Sequence, residues 1–399
     1  MRRPGRLAAV AGFFLLVSAP LLVQSSGLEH DDGGWENRIL APAPAWPRRL
    51  ADLATDLATL PRVAGAWLDD HFGLRRPLVQ LANHLRFAVF AESGNPQIAF
   101  GRHRQLFLTS HDAAHPQEML LFLCRGGDAG PILARSLARF LDAALRRNPR
   151  AVELLVPTKT VIDAADLPGW MRARCAGGTP VLPAMLAALA AQRPDLRAHV
   201  VYPLALMRGL RGADAPYPKF NFHWDGSALQ AIAAGIAADR FGRPRLAPLP
   251  LRAVTKSSDI AHLLPGVPLR FRTIEPDLAA ADVTAALRIP ELGASGGILY
   301  DVSHFTRRGR VGPRLLILSD SFGQAVAPWF SAYYGEVWHV AVNNIAQLTP
   351  ERQAALTDTL FDRFRPDDLL LVFHDFSQGY VNQQLMRPLW HQADGAAPP

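Results

Sequence analysis

The sequence predicts an α/β protein built on a mostly parallel sheet, and three observations carry that expectation. Apolar strand candidates alternate with helical stretches from about Glu118 onward. Leu315 to Leu318 and Leu369 to Phe373 are unbroken apolar runs, as expected of strands buried on both faces. Each runs into a short polar turn, which is how strands of such sheets end.

Taken in order, the chain opens with Arg2, Arg3 and Arg6, an apolar run from Leu7 to Val23, then Gln24-Ser-Ser-Gly27. A basic start, an apolar stretch and small polar residues form an export signal. Residues 1–26 are therefore expected to be a signal peptide, cleaved after about Ser25, or a retained membrane anchor, the run being at the short limit for spanning a bilayer. Residues 27–117 form an N-terminal region: an approach segment from Glu29 to Pro47 that includes Trp35-Glu-Asn-Arg38, then helical patterning from Arg49 to Phe90. Residues 118–393 form the sheet domain. Strands are expected at Met119 to Leu123, Val152 to Val156, His199 to Tyr202, Leu315 to Leu318, Val337 to Val342 and Leu369 to Phe373. Helices are expected at Ile132 to Arg146, Pro180 to Ala191, Ser227 to Arg240 and Gln324 to Tyr334. Prolines and short apolar runs break the rhythm between Arg243 and Arg310, which reads as an irregular or β insertion.

Ser321 stands where a nucleophile would be placed, at the strand-to-helix turn of Leu318-Ser-Asp-Ser-Phe-Gly323. Backbone N–H groups at such a turn can meet a developing oxyanion. Asp320 and Ser321 also suit simple helix capping. A serine needs a base, and His223 in Phe220-Asn-Phe-His-Trp-Asp225 stands at another element end, since neutral imidazole takes and returns a proton near pH 7. A single histidine is more often structural, but one next to Trp224 and matched with a serine turn points to chemistry.

These segments resemble the periplasmic SGNH-hydrolase-like proteins of alginate and exopolysaccharide O-acetylation, the AlgX/AlgJ type. The resemblance rests on Asp70-His-Phe-Gly-Leu-Arg75, Phe90-Ala-Glu-Ser-Gly-Asn-Pro96, Val156-Pro-Thr-Lys159, His223-Trp224, Asp320-Ser-Phe322 and Arg365-Pro-Asp367. It implies an SGNH-like sheet in permuted order, His223 preceding Ser321. It also implies an acetyl-serine on Ser321, a polysaccharide acceptor and a membrane-bound O-acyltransferase as the source of acetyl groups. Two positions depart from the pattern. Asn221 stands where an Asp two residues before the histidine is common, and Ser319 where Gly precedes Asp-Ser. Asn221 can accept a hydrogen bond but brings no charge to stabilise imidazolium. Asp225, Asp301 and Asp375 are the substitutes considered, Asp375 foremost because it follows a strand. Trp224 is the expected wall of a sugar site, and Asn343 or Asn344 could lend an amide, although turn formation explains them as well.

Composition narrows the remaining choices. The chain has 399 residues and a formal charge of +7, but lysine occurs only at positions 159, 219 and 256, so the excess is arginine and adds little weight to a polyanionic partner. No basic-aromatic motif points to nucleic acid. No metal-ligand spacing is present and no cofactor is implied. Cys124 and Cys175 are the two cysteines, and in an exported chain an isolated pair forms a disulfide. The reading is a periplasmic O-acetyltransferase. An acetylesterase using the same residues, and a non-catalytic polysaccharide-binding scaffold, are the alternatives.

Overall fold

A computed structural model describes residues 3–27, 40–45, 53–310 and 312–377. The expected approach segment from Glu29 to Pro47 lies largely outside them, as does the end of the sheet domain beyond residue 377. The chain divides into two compact units, Met1–Pro96 with Ile260–Leu269, and Gln97–Asp259 with Arg270–Pro399. The boundary thus falls after Pro96 and not at 117/118.

The first unit contains helices Arg3–Ser26, Leu53–His71 and Arg75–Leu85, the last continued by a wider turn over Arg86–Phe90. Asn83 Nδ2 donates to the Pro265 carbonyl at 3.1 Å, attaching the segment 260–269 to this helical group. Among the described residues no helix is long and apolar enough to cross a membrane.

Among the described residues the second unit holds eleven strands. A small hairpin comprises β1 (Ile98–Phe100) and β2 (Leu106–Leu108). There follow β3 (Ala151–Val156), β4 (Val200–Val201), β5 (Leu251–Ser257), β6 (Arg270–Pro276), β7 (Val283–Ala286), β8 (Asp301–Arg307), β9 (Arg314–Ser319), β10 (Glu336–Ala341) and β11 (Asp368–His374). The central sheet runs β4-β3-β11-β9-β10-β8-β7, parallel from β4 to β10 and antiparallel at β8 and β7. Strands β3 and β11 are buried along their whole length, which is why they are mostly apolar, with Glu153 inside β3 and Asp368 and His374 at the ends of β11. From β3 the chain moves outward to β4, and from β9 it moves outward the other way to β10. The strand order therefore reverses across β11. Crevices for ligands form at the carboxyl ends of strands at such a reversal.

Three elements differ from expectation. Met119 to Leu123 lies in the helix Glu118–Arg125, whose Met119, Leu120 and Leu123 share one buried face. A five-residue apolar run satisfies either period, and packing decides between them. The helix expected from Gln324 is only Gly323–Val326, continued as a 3₁₀ segment Ala327–Ala332 into which Pro328 brings no N–H. The region read as an insertion supplies β7 and β8 to the central sheet, while β5 and β6 pair as a separate antiparallel hairpin.

At the opposite end of the sheet, Asp368 is fully buried. It accepts hydrogen bonds from Arg150 Nε (2.5 Å), Arg243 Nε (2.6 Å) and Tyr334 OH (2.8 Å), so two cations and a phenol satisfy one carboxylate. Arg243 follows the helical stretch that ends at Arg240, where the chain turns toward β5, and this cluster anchors that turn to the sheet.

Cys124 and Cys175 form a disulfide, with Cα atoms 5.5 Å apart, joining helix Glu118–Arg125 to helix Gly169–Cys175. They are 51 residues apart, for which loop closure gives a stabilisation of about 4 kcal/mol before any strain. The Cys124→Ser, Cys175→Ser double variant should lower stability in urea by about 2–4 kcal/mol. Unchanged midpoints with both thiols blocked would remove the bond from the account.

Candidate active site

The site assembles at the carboxyl end of β9. Asp320 follows the strand, is almost fully buried, and fixes the turn by its carboxylate. Its Oδ2 accepts from the His374 N–H (2.8 Å), His374 Nδ1 (2.6 Å) and Ser377 Oγ (2.7 Å), and its Oδ1 accepts from the Phe322 N–H (2.9 Å). Burial pushes this carboxyl up, but His374 and the hydrogen bonds from His374 and Ser377 outweigh it and hold the group below the usual carboxylate range. The turn is thereby tied to the end of β11, and Ser321 projects from it, half-buried. The N–H groups of Phe322 and Gly323 are both bonded to Asp320. Among the described residues no hydrogen bond takes up the N–H of Ser321, which leaves it as a donor for an oxyanion.

Ser321 Oγ donates to His223 Nε2 at 2.8 Å, and His223 Nδ1 donates to Asp259 Oδ2 at 2.5 Å. Asp259 also accepts from the backbone N–H groups of Phe222 (2.9 Å) and His223 (2.8 Å). Burial raises its carboxyl, but His223 and these backbone donors outweigh it and hold Asp259 below the usual carboxylate range. An ionised Asp259 requires the proton on Nδ1 and leaves Nε2 as the acceptor for Ser321. That is the arrangement a serine nucleophile needs.

The orienting acid is therefore Asp259, which sequence reasoning missed. It lies 36 residues beyond the histidine, just past β5, in the region read as an insertion. No local pattern singles it out, since it is one acid among several in a stretch that reads as irregular or β. Asp375, expected in this role, is fully buried with Oδ2 accepting from the Thr158 N–H at 3.1 Å and makes no hydrogen bond to His223. Burial above all raises its carboxyl to about 6. Asp225 is held by Lys256 and Thr273, and Asp301 faces His339, so neither meets His223.

Asn221 does not touch the imidazole. Its Nδ2 donates to the His223 carbonyl (3.0 Å) and its Oδ1 accepts from the Asp259 N–H (2.9 Å). It thus clamps the His223 loop to the Asp259 loop, using both faces of an amide where a carboxylate could only accept. Buried Lys159 secures the same loop from beneath, donating to the carbonyls of Pro218 and Lys219 at 2.7 Å each.

Trp224 is fully buried, and its indole N–H donates to the Phe322 carbonyl at 2.7 Å. It fastens the histidine loop to the serine turn and presents no free face to a sugar, contrary to expectation. Ser319 is accommodated because its Oγ hydrogen-bonds His339 Nε2 at 2.7 Å, beneath Gly323. A Cβ at Gly323 would fall 2.1 Å from that Oγ, so glycine at 323 is what makes room for serine at 319. Asn344 donates to the Ile298 carbonyl and serves its turn. Among the described residues no group of acidic, histidine or cysteine side chains could hold a metal ion.

A cavity of about 670 Å³ opens over Ser321 and His223, walled by Phe271, Leu278, Gln324 and Pro328.

No family model matches the chain, and no curated protein matches it. Among solved structures, it is similar to Bacillus cereus PatB1 with sulfonyl adduct at 11% identity, with 62% of this chain and 90% of that chain covered and a TM-score of 0.42. The O-acetyltransferase domain of Pseudomonas putida AlgJ matches at 14% identity over 71% of this chain and 92% of its own, with a TM-score of 0.40. Pseudomonas aeruginosa AlgX matches at 14% identity over 75% of this chain and 67% of its own, with a TM-score of 0.38. At these distances the geometry of the site itself carries the chemistry.

Exchanging the two acids separates their roles. Asp259→Asn should lower turnover of a small acetyl ester by about 10³–10⁴ while leaving the protein folded, since the wrong tautomer is then favoured. Asn221→Asp should also lower it, because a carboxylate cannot donate to the His223 carbonyl. Asp375→Asn should leave turnover within about twofold. A raised carboxyl makes stability fall as pH rises from 3.8 to about 6. The Asp375→Asn variant should therefore be the more stable protein above pH 6, by up to about 3 kcal/mol. Turnover lost with Asp375 and retained without Asp259 would reverse the assignment.

Proposed function

We propose that the protein is a periplasmic O-acetyltransferase that passes acetyl groups to a polysaccharide through an acetyl-serine on Ser321. The observation that carries this reading is the unbroken relay Ser321–His223–Asp259, set at the mouth of an open cavity. Ser321 Oγ attacks the acetyl carbonyl of the donor as its proton passes to His223 Nε2. The imidazolium is stabilised by Asp259 and the oxyanion by the Ser321 N–H. Collapse expels the donor's leaving group, which takes the proton from His223. A sugar hydroxyl then attacks the acetyl-enzyme and gives its proton to His223. As the acetyl sugar departs, that proton returns to Ser321.

The choice of a sugar acceptor rests on the sequence resemblance and on a cavity that extends well beyond the relay, with space for more than an acetyl group. Water in place of the sugar would make the same relay an acetylesterase. The permuted SGNH-type order is supported by His223 lying before β9 while Ser321 follows it. The periplasmic placement is supported by the basic then apolar N-terminus and by the Cys124–Cys175 bond, which persists in oxidising compartments. A membrane-bound O-acyltransferase partner would then supply the donor. No tightly bound cofactor enters the chemistry.

Incubation with a chromogenic acetyl ester should release chromophore and leave one acetyl group on the peptide containing Ser321, detected by mass spectrometry after an acid quench. Ser321→Ala should lose at least about 10³ of the turnover. Full turnover in that variant would place the nucleophile elsewhere.

A further inference from the structure

The whole chain is basic, with a formal charge of +7. The cavity reverses that sign. Its charged lining consists of Asp225, Asp259, Glu275 and Asp277 against Arg252 and Lys256, an excess of two negative charges with His223 neutral.

Both cations are already committed. Arg252 stands opposite Glu275 in the β5–β6 register, and its Nε and Nη2 both donate to Glu275 Oε1, at 2.9 and 2.5 Å. Lys256 Nζ donates to Asp225 Oδ2 at 2.9 Å and lies 3.3 Å from Glu275 Oε2. Asp225 is held from its other oxygen by Thr273 Oγ1 at 2.9 Å. The result is a closed ladder of alternating charge along one wall. An anionic sugar could recruit Arg252 or Lys256 only by leaving Glu275 or Asp225 without its cation. It would also bring its charge toward Asp259 and Asp277.

We infer that the acceptor is a glycan without carboxylate or other anionic groups, its sugars neutral or amine-bearing, and that polyuronate is rejected. This rests on the acyl-transfer reading and fixes the substrate class of the same site. The ladder on β5 and β6 acts as the selecting element. It disfavours anions by having satisfied its own cations.

The test compares three sets of oligosaccharides as acceptors: neutral hexose, glucosamine and uronate. The chromogenic acetyl ester is the donor at low ionic strength, and acetylated products are counted by mass spectrometry. Transfer to neutral or glucosamine chains should exceed transfer to uronate by at least about tenfold in kcat/KM. Glu275→Gln, which loosens Arg252 and Lys256, should raise the ratio of uronate to neutral transfer by about the same factor. Wild-type transfer to uronate equal to or above transfer to neutral chains overturns the inference. So does hydrolysis of the ester with no transfer to any chain. Binding of the three sets to Ser321→Ala, by calorimetry, reads the preference without turnover. A protein that selects neutral or aminated chains there, but forms no acetyl-Ser321 in wild type, loses the acyl-transfer reading and keeps the specificity. Tightest binding of uronate overturns it.

Discussion

One carboxylate, that of Asp259, holds the site together. It accepts from the imidazole and from two backbone N–H groups of the same histidine loop. Orientation of the base and closure of the loop are therefore one interaction. A partly buried carboxylate with three donors is held in its charged form, because each donor favours the anion that burial disfavours. The linkage has a definite sign. The stabilisation is full above the ordinary Asp value of 3.8 and is lost as pH falls through the lowered one.

Around that carboxylate the loops are joined by groups able to donate and accept at once. Asn221 bonds forward to His223 and back to Asp259, and Ser258 Oγ adds a hydrogen bond to the Phe220 carbonyl. Lys159, whose amine is lowered to about 7 chiefly by burial, bonds the carbonyls behind His223. Trp224 and Asp320 do the corresponding work for the serine turn, one from the histidine loop and the other from β11. Phe322 packs between them, its ring 4.7 Å from that of His223 and 4.8 Å from that of His374. Nucleophile and base thus come from separate loops fastened to the same aromatic core, which fixes their separation.

The same hairpin that delivers Asp259 also walls the cavity. Strand β5 ends two residues before that acid, and β5 and β6 carry the ladder of Arg252, Lys256 and Glu275. The region that interrupts the α/β rhythm therefore couples the proton relay to the surface an acceptor would meet. A change in this hairpin would alter both orientation of the base and the charge seen by a substrate. In the sheet itself, β9 and β11 do no more than present Asp320, Ser321 and His374 at one end, an economy typical of parallel sheets at a strand-order reversal.

The parallel strands are legible in the amino-acid pattern, because burial on both faces demands unbroken apolar runs such as Leu315 to Leu318. That pattern also determined that Ser321 and His223 stand at element ends, since each is flanked by a recognisable strand or helix. It set out two cysteines that could pair. Which acid serves the histidine depends on how the folded chain returns to it. Asp259, Asp225, Asp301 and Asp375 are alike as residue types, and three of them end on Lys256, beside His339 or at Thr158 for reasons of chain path. The tertiary structure also turned Asn221 from an apparent gap in a triad into the clamp beside it, and Trp224 from a sugar platform into a buried fastener. The physical reason is common to all three. An apolar strand is specified by local periodicity, whereas a hydrogen-bond partner 36 residues away is specified by where a hairpin returns, and no local pattern records that.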